Sequence, residues 1–103
     1  MKTLYLDQLP SHWENTAEIL NAVGDATRQR ILLLFDPGEE LSIKTIADLF
    51  PVSRTTITYH IAVLEKAGLL RRRKEGRDVL LTLDRELLHS ALKNVLDYIE
   101  MNV

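Results

Sequence analysis

Residues 41–83 read LSIKTIADLFPVSRTTITYHIAVLEKAGLLRRRKEGRDVLLTL. Two short helical patterns flank a proline here, and a basic hairpin follows them. Ser42 caps the first pattern, with Ile43, Ile46, Ala47 and Leu49 expected inward. That helix must stop near Leu49 or Phe50, because Pro51 drives its predecessor out of the helical region. Ser53 caps the second, in which Ile57, Ile61 and Leu64 form a stripe at i, i+4 and i+7 and Gly68 closes the last turn. Leu69 to Lys74 and Arg77 to Leu83 read as two strands joined at Glu75-Gly76, where glycine supplies the positive φ of a tight turn.

Working outward, residues Met1 to Pro10 form an arm with apolar points at Leu4, Tyr5, Leu6 and Leu9. Ser11 and Glu14 have the spacing of a capping box. Trp13, Ala17, Leu20 and Val23 follow at helical spacing, and Gly24 suits a left-handed residue after the last turn. Asp25 caps a second helix, Ala26 to about Phe35, which Pro37-Gly38 ends. On the other side, Asp84 caps a final helix with Leu88, Leu92, Val95 and Ile99 on one seam. The expected fold is mostly α with one β-hairpin, in the order ααααββα, a winged helix-turn-helix. Residues 1–103 are taken as one domain: helix-turn-helix at 42–67, wing at 69–83, and flanking helical segments at 1–23 and 84–103.

The 103 residues are 46% hydrophobic and 27% charged, an ordinary globular balance, and include no cysteine. That excludes disulfides, thiolate metal sites and cysteine nucleophiles, and it fits a reducing cytoplasm. No signal peptide and no run of roughly 20 apolar residues is present, so no membrane partner is expected.

Charge is unevenly spread. From Arg54 to Arg77 there are seven cations (Arg54, Lys66, Arg71, Arg72, Arg73, Lys74, Arg77) against Glu65 and Glu75, while the remainder carries six cations and thirteen anions. A basic face on an acidic body is the footprint of a protein that docks on a polyanion. With Ile57, Ile61 and Leu64 inward, the capped helix presents Arg54, Thr55, Thr58, Tyr59, Ala62 and Glu65-Lys66. Arg can bond guanine at two points, Thr a base edge or thymine methyl, and Tyr a phosphate. The Ser53 end adds free N–H groups and the positive end of the helix dipole. Side chains alternate along a ribbon, so not all five wing cations can reach one ligand. Lys74 and Arg77, flanking the tip, are best placed, with Arg73 beside them. Double-stranded DNA is the expected partner.

The segments 24–32 (GDATRQRIL), 53–61 (SRTTITYHI) and 64–70 (LEKAGLL) through Glu75-Gly76-Arg77 resemble the signature segments of the ArsR family, the winged-helix transcriptional repressors of bacteria and archaea. The resemblance covers roughly Ile19 to Leu83. It implies a homodimer built from the first and last helices, with Trp13, Leu20, Leu88, Leu92, Val95 and Ile99 at the interface, the fourth helix in a major groove and the hairpin as wing. Three positions depart from the family pattern. Ala26 replaces a proline, Pro51 a glycine, and Asp78 an apolar or aromatic wing residue.

Family members that sense thiophilic metals carry cysteine near the start of the third helix, where this chain has Ser42 and Lys44. A second family site on the last helix follows the pattern Asp-x-His-x(10)-His-x-x-Glu/His. Its spacing survives here as Asp84, Glu86, Asp97 and Glu100, with carboxylates in place of both imidazoles. An all-oxygen set suits a hard ion, not zinc. Glu86, Asp97 and Glu100 also lie on the polar stripe of an amphipathic helix, and Asp84 has a capping role. No metal or other cofactor is expected, and no effector is identified. His60, on the flank of the core stripe, is assigned a structural hydrogen bond, while His12 and His89 stand alone. The expected function is a homodimeric, sequence-specific repressor on a pseudo-palindromic operator in its own or a neighbouring promoter. The competing reading is a winged-helix protein–protein interaction module, against which the Arg54-led polar face argues. No catalytic set can be assembled, so an enzyme is not expected.

Overall fold

A computed structural model describes residues 1–100. After a 3-10 turn at Ser11–Trp13, the order is α1 (Thr16–Val23), α2 (Ala26–Leu33), β1 (Glu40–Ser42), α3 (Ile43–Leu49), α4 (Arg54–Lys66), β2 (Leu70–Glu75), β3 (Asp78–Leu83) and α5 (Arg85–Ile99). Four of the five helices start at a side-chain cap. The side chains of Asp25, Ser42, Ser53 and Asp84 accept from the N–H three residues on, at 3.0–3.1 Å, each satisfying a donor the helix leaves free.

α1 is the exception. The expected capping box does not form: residues 11–14 close a 3-10 turn through Trp13 N–H to Pro10 O (2.9 Å) and Glu14 N–H to Ser11 O (3.2 Å). The helix begins later, behind Asn15, without a side-chain cap. Gly24 is not left-handed either, having φ −82°. A Cβ there would lie 3.1 Å from Leu20 O, so close backbone approach is what the position demands.

The core lies between α1, α2, α3, α4 and the sheet. Ile19, Ile31, Ile46, Ile57, Ile61, Leu64, Leu69 and Leu81 are fully buried, each contributing on the order of 1.5–3 kcal/mol. The expected α4 stripe is the centre of this core. Leu49, expected inward, is instead 61% exposed, and Phe50 packs against the core beyond it.

The hairpin is not the whole sheet. β1 adds a third strand in the antiparallel order β1-β3-β2, with Leu41 opposite Leu81. Three residues ahead of a helix carry too little periodicity to announce a strand. The hairpin turn is also one residue later than expected. Glu75 pairs with Asp78, leaving Gly76-Arg77 as the loop, with Gly76 at φ 60°, as the first central position of a primed turn requires.

α5 buries only Ala91 fully, with Leu87 and Leu88 packed against the core. Its far end is held by Asn94 Nδ2 donating to His12 O at 2.6 Å and by an edge-to-face contact of Trp13 with Tyr98, ring centres 5.9 Å apart. The radius of gyration, 15.9 Å, exceeds the roughly 13 Å of a compact chain this long.

Candidate nucleic-acid interface

α3, the turn at 50–53 and α4 form the helix-turn-helix, and burial of Ile57, Ile61 and Leu64 dictates which side of α4 faces out. Arg54, Thr55, Thr58 and Tyr59 are all exposed, Tyr59 by 61%. Ser53 Oγ is engaged by Thr56, accepting its N–H at 3.1 Å and lying 2.9 Å from its hydroxyl. The N-terminus of α4 is therefore capped at the point where Arg54 leaves it.

His60 has the structural hydrogen bond expected of it. Its partner is Arg28, a buried residue of α2 that the sequence pattern gave no reason to single out. Arg28 Nη1 lies 3.0 Å from His60 Nδ1, and its other donors reach the carbonyls of Ala22 (2.7 Å) and Asn21 (3.2 Å) at the end of α1.

The wing arginines are not free. β2 side chains alternate, so Arg72 shares the face of buried Leu70 while Arg71 and Arg73 take the opposite one. Arg72 grips Glu65 of α4 through two bonds of 2.7 and 2.6 Å. Arg73 grips Glu40 of β1 through bonds of 2.9 and 2.8 Å and reaches Glu75 at 2.9 Å. Arg71 bonds Asp84 at 2.7 Å. The bonds to Glu65 and to Glu40 and Glu75 push the Arg72 and Arg73 guanidinium pKa values up, and Arg73 holds the Glu40 carboxyl below its usual range. Asp84 is lowered first by the Leu87 N–H and then by Arg71.

Among the described residues, the cations of this segment without a carboxylate partner are Arg54, Lys66, Lys74 and Arg77. Lys74 and Arg77 flank Gly76 at the tip, where Asp78 opposes Glu75. The carboxylate partners were not legible beforehand because Glu40 and Arg73 are 33 residues apart and Arg71 and Asp84 are 13 apart.

The expected dimer residues differ in exposure. Leu20 is 39%, Leu92 44% and Ile99 67% exposed, while Trp13, Leu88 and Val95 are half-buried. Leu96, one turn beyond Leu92 and absent from the expected seam, is 52% exposed. With Leu92, Val95 and Ile99 it lines an open groove of about 650 Å³. The expected segment 84–103 extends into residues 101–103, outside those described.

The four spaced carboxylates of α5 do not come together within one chain. Asp84 caps the helix and holds Arg71, and Asp97 pairs with Lys93 at 2.9 Å. No group of three His, Asp or Glu side chains among the described residues is placed to hold a metal ion.

Residues 23–73 match a family described as a helix-turn-helix domain. A helix-turn-helix-type transcriptional regulator of Methanocaldococcus jannaschii is 39% identical over 64 residues, which are 62% of this chain and 72% of the relative. The transcriptional repressor SdpR of Bacillus subtilis is 26% identical over 81 residues, 79% of this chain and 89% of SdpR. An ArsR-like transcriptional regulator from Rhodococcus sp. RHA1 superposes with a TM-score of 0.76 at 26% identity, covering 90% of this chain and 86% of that one. Together with the winged helix-turn-helix geometry, these likenesses mean that the chain belongs to the ArsR family of transcriptional regulators.

Proposed function

We propose that the protein is a cytoplasmic, homodimeric repressor that occupies a pseudo-palindromic operator on duplex DNA. The observation that carries this reading is the outer face of α4, where Arg54, Thr55, Thr58 and Tyr59 stand exposed behind the Ser53 cap, together with exposed, unpaired Lys74 and Arg77 at the wing tip. α4 enters a major groove, Arg54 reads a base and the tip holds the backbone. SdpR, a repressor by name, supports repression as the outcome. No helix among the described residues is long and apolar enough to cross a membrane.

The dimer is supported by the exposed leucines of α5 and by a radius of gyration too large for a chain that buries its own surface. Residues 1–23 and 84–103 supply the interface, 42–67 the helix-turn-helix and 69–83 the wing. A two-fold pair reads half-sites one helical turn or a multiple apart. Selection of bound duplexes from a random pool tests the proposal. Enrichment of an inverted repeat supports it, and no affinity for any duplex at low salt overturns it.

A further inference from the structure

We infer that Arg71, Arg72 and Arg73 are positioning residues that aim the wing, and that Lys74 and Arg77 make its ionic contacts with DNA. This rests on the DNA-binding reading above. The three arginines are consecutive, yet each ends on a carboxylate from a different element: Asp84 ahead of α5, Glu65 in α4 and Glu40 in β1. β3 is paired with β1 through Leu80 and seated in the core by Leu81, so the hairpin is free to bend only beyond that pair. From Leu80 to the tip is roughly 10 Å of strand, so a swing of roughly 20° would carry the tip about 3.5 Å, enough to break a phosphate contact. A fork-to-fork arginine–carboxylate pair sets both distance and plane, which a lysine could not do. Arg72 makes one such pair with Glu65, on the same helix that carries Arg54. Arg73 makes the other with Glu40 and so ties the ribbon to the strand leading into α3.

The charge pattern points the same way. Three arginines face four carboxylates, Glu40, Glu65, Glu75 and Asp84. An arginine already matched by a carboxylate adds little to the counterions released on binding, whereas an unmatched Lys74 or Arg77 adds close to one.

The test is operator affinity against salt for wild type, Arg72→Gln, Arg73→Gln, Lys74→Gln and Arg77→Gln. Each wing-tip variant removes two cations from the dimer and is expected to flatten the slope of log affinity against log salt by about 1.8, roughly 0.9 per contact. Arg72→Gln and Arg73→Gln are expected to weaken binding roughly two- to fivefold in parallel at every salt concentration, with the slope unchanged. Arg72→Glu combined with Glu65→Arg is expected to recover the affinity that Arg72→Glu alone loses. In the free protein, the Arg72 Nε–H resonance is expected to shift or vanish in Glu65→Gln. Flattening by Arg72→Gln or Arg73→Gln equal to that of Arg77→Gln would overturn the inference, as would failure of the swap. So would an Arg72 Nε–H resonance indifferent to Glu65→Gln. If wild type binds no duplex, the DNA-binding reading falls, and the resonance alone judges the Glu65–Arg72 strut.

Discussion

The guanidinium of Arg28 donates to the imidazole of His60 across 3.0 Å, joining α2 to the middle of α4. Arginine has no acceptor, so His60 Nδ1 is the accepting atom of this contact. Arg28 is 9% exposed, and it balances its charge on two carbonyls at the C-terminal end of α1, where the helix dipole is negative. One buried side chain thereby fixes α1, α2 and α4 to one another.

Removing that side chain should be costly. Arg28→Ala strips its donor from the Ala22 carbonyl and from an imidazole nitrogen, and leaves the Asn21 carbonyl with the Gly24 N–H alone; we expect a loss of about 2–4 kcal/mol in urea unfolding. Arg28→Lys should recover only part of it, because a single ammonium lacks the fork that reaches all three acceptors. A near-wild-type midpoint for Arg28→Ala would contradict this.

On DNA, Arg54→Ala is expected to cost about 1–3 kcal/mol and to relax preference at one base position. The exposed, unpaired state of Arg54 at the start of α4 motivates this. Competition binding with single-base operator variants measures both effects, and equal loss on every sequence would show that Arg54 holds a phosphate instead.

Replacing Leu92 and Val95 together with Asp is expected to yield monomers with little operator affinity. Leu92 is 44% exposed and lines the α5 groove beside Leu96 and Ile99, a surface an isolated chain would leave in water. Sedimentation of wild type and variant at micromolar concentration decides the matter; wild type running as a monomer would refute it.

Acid should unfold the protein through named carboxyls. Asp25 is held low first by the Arg28 N–H, Asp84 by the Leu87 N–H and Arg71, and Glu40 by Arg73. Unfolding returns each to its ordinary range near 4, so the stability they contribute is complete above that range and is lost as pH falls through the lower folded values. The part of the urea midpoint that Asp25, Glu40 and Asp84 supply should hold down to about pH 4.5 and then fall, and should be missing from a variant with the three carboxyls replaced by amides. At neutral pH, Asp84→Ala should cost about 0.5–2 kcal/mol as a lost cap.

Micromolar zinc is expected to leave the protein–operator complex intact. Ser42 Oγ caps α3 at Thr45 N–H, and Asp84 and Asp97 are committed to Arg71 and Lys93. Oxygen donors also hold zinc less well than imidazole or thiolate. Release of DNA at submicromolar free zinc would show that two chains assemble a working site.

What the chain declared by itself was local. The caps at Asp25, Ser42, Ser53 and Asp84, the stripe at Ile57, Ile61 and Leu64, and the glycines at Gly68 and Gly76 all act within a few residues, where spacing dictates geometry. The polar face of α4 followed, because burying one side of a helix exposes the other. The tertiary structure decided what depends on partners distant in sequence. It paired Leu41 with Leu81 to make a third strand, and it set Trp13 on Tyr98 instead of letting Ser11 open a helix. It buried Arg28 beneath His60, and it matched Arg71, Arg72 and Arg73 with carboxylates contributed by α4, β1 and the cap of α5. An arginine's charge is written in the sequence, but whether that charge remains available to a phosphate depends on which acid the fold brings within 3 Å of it.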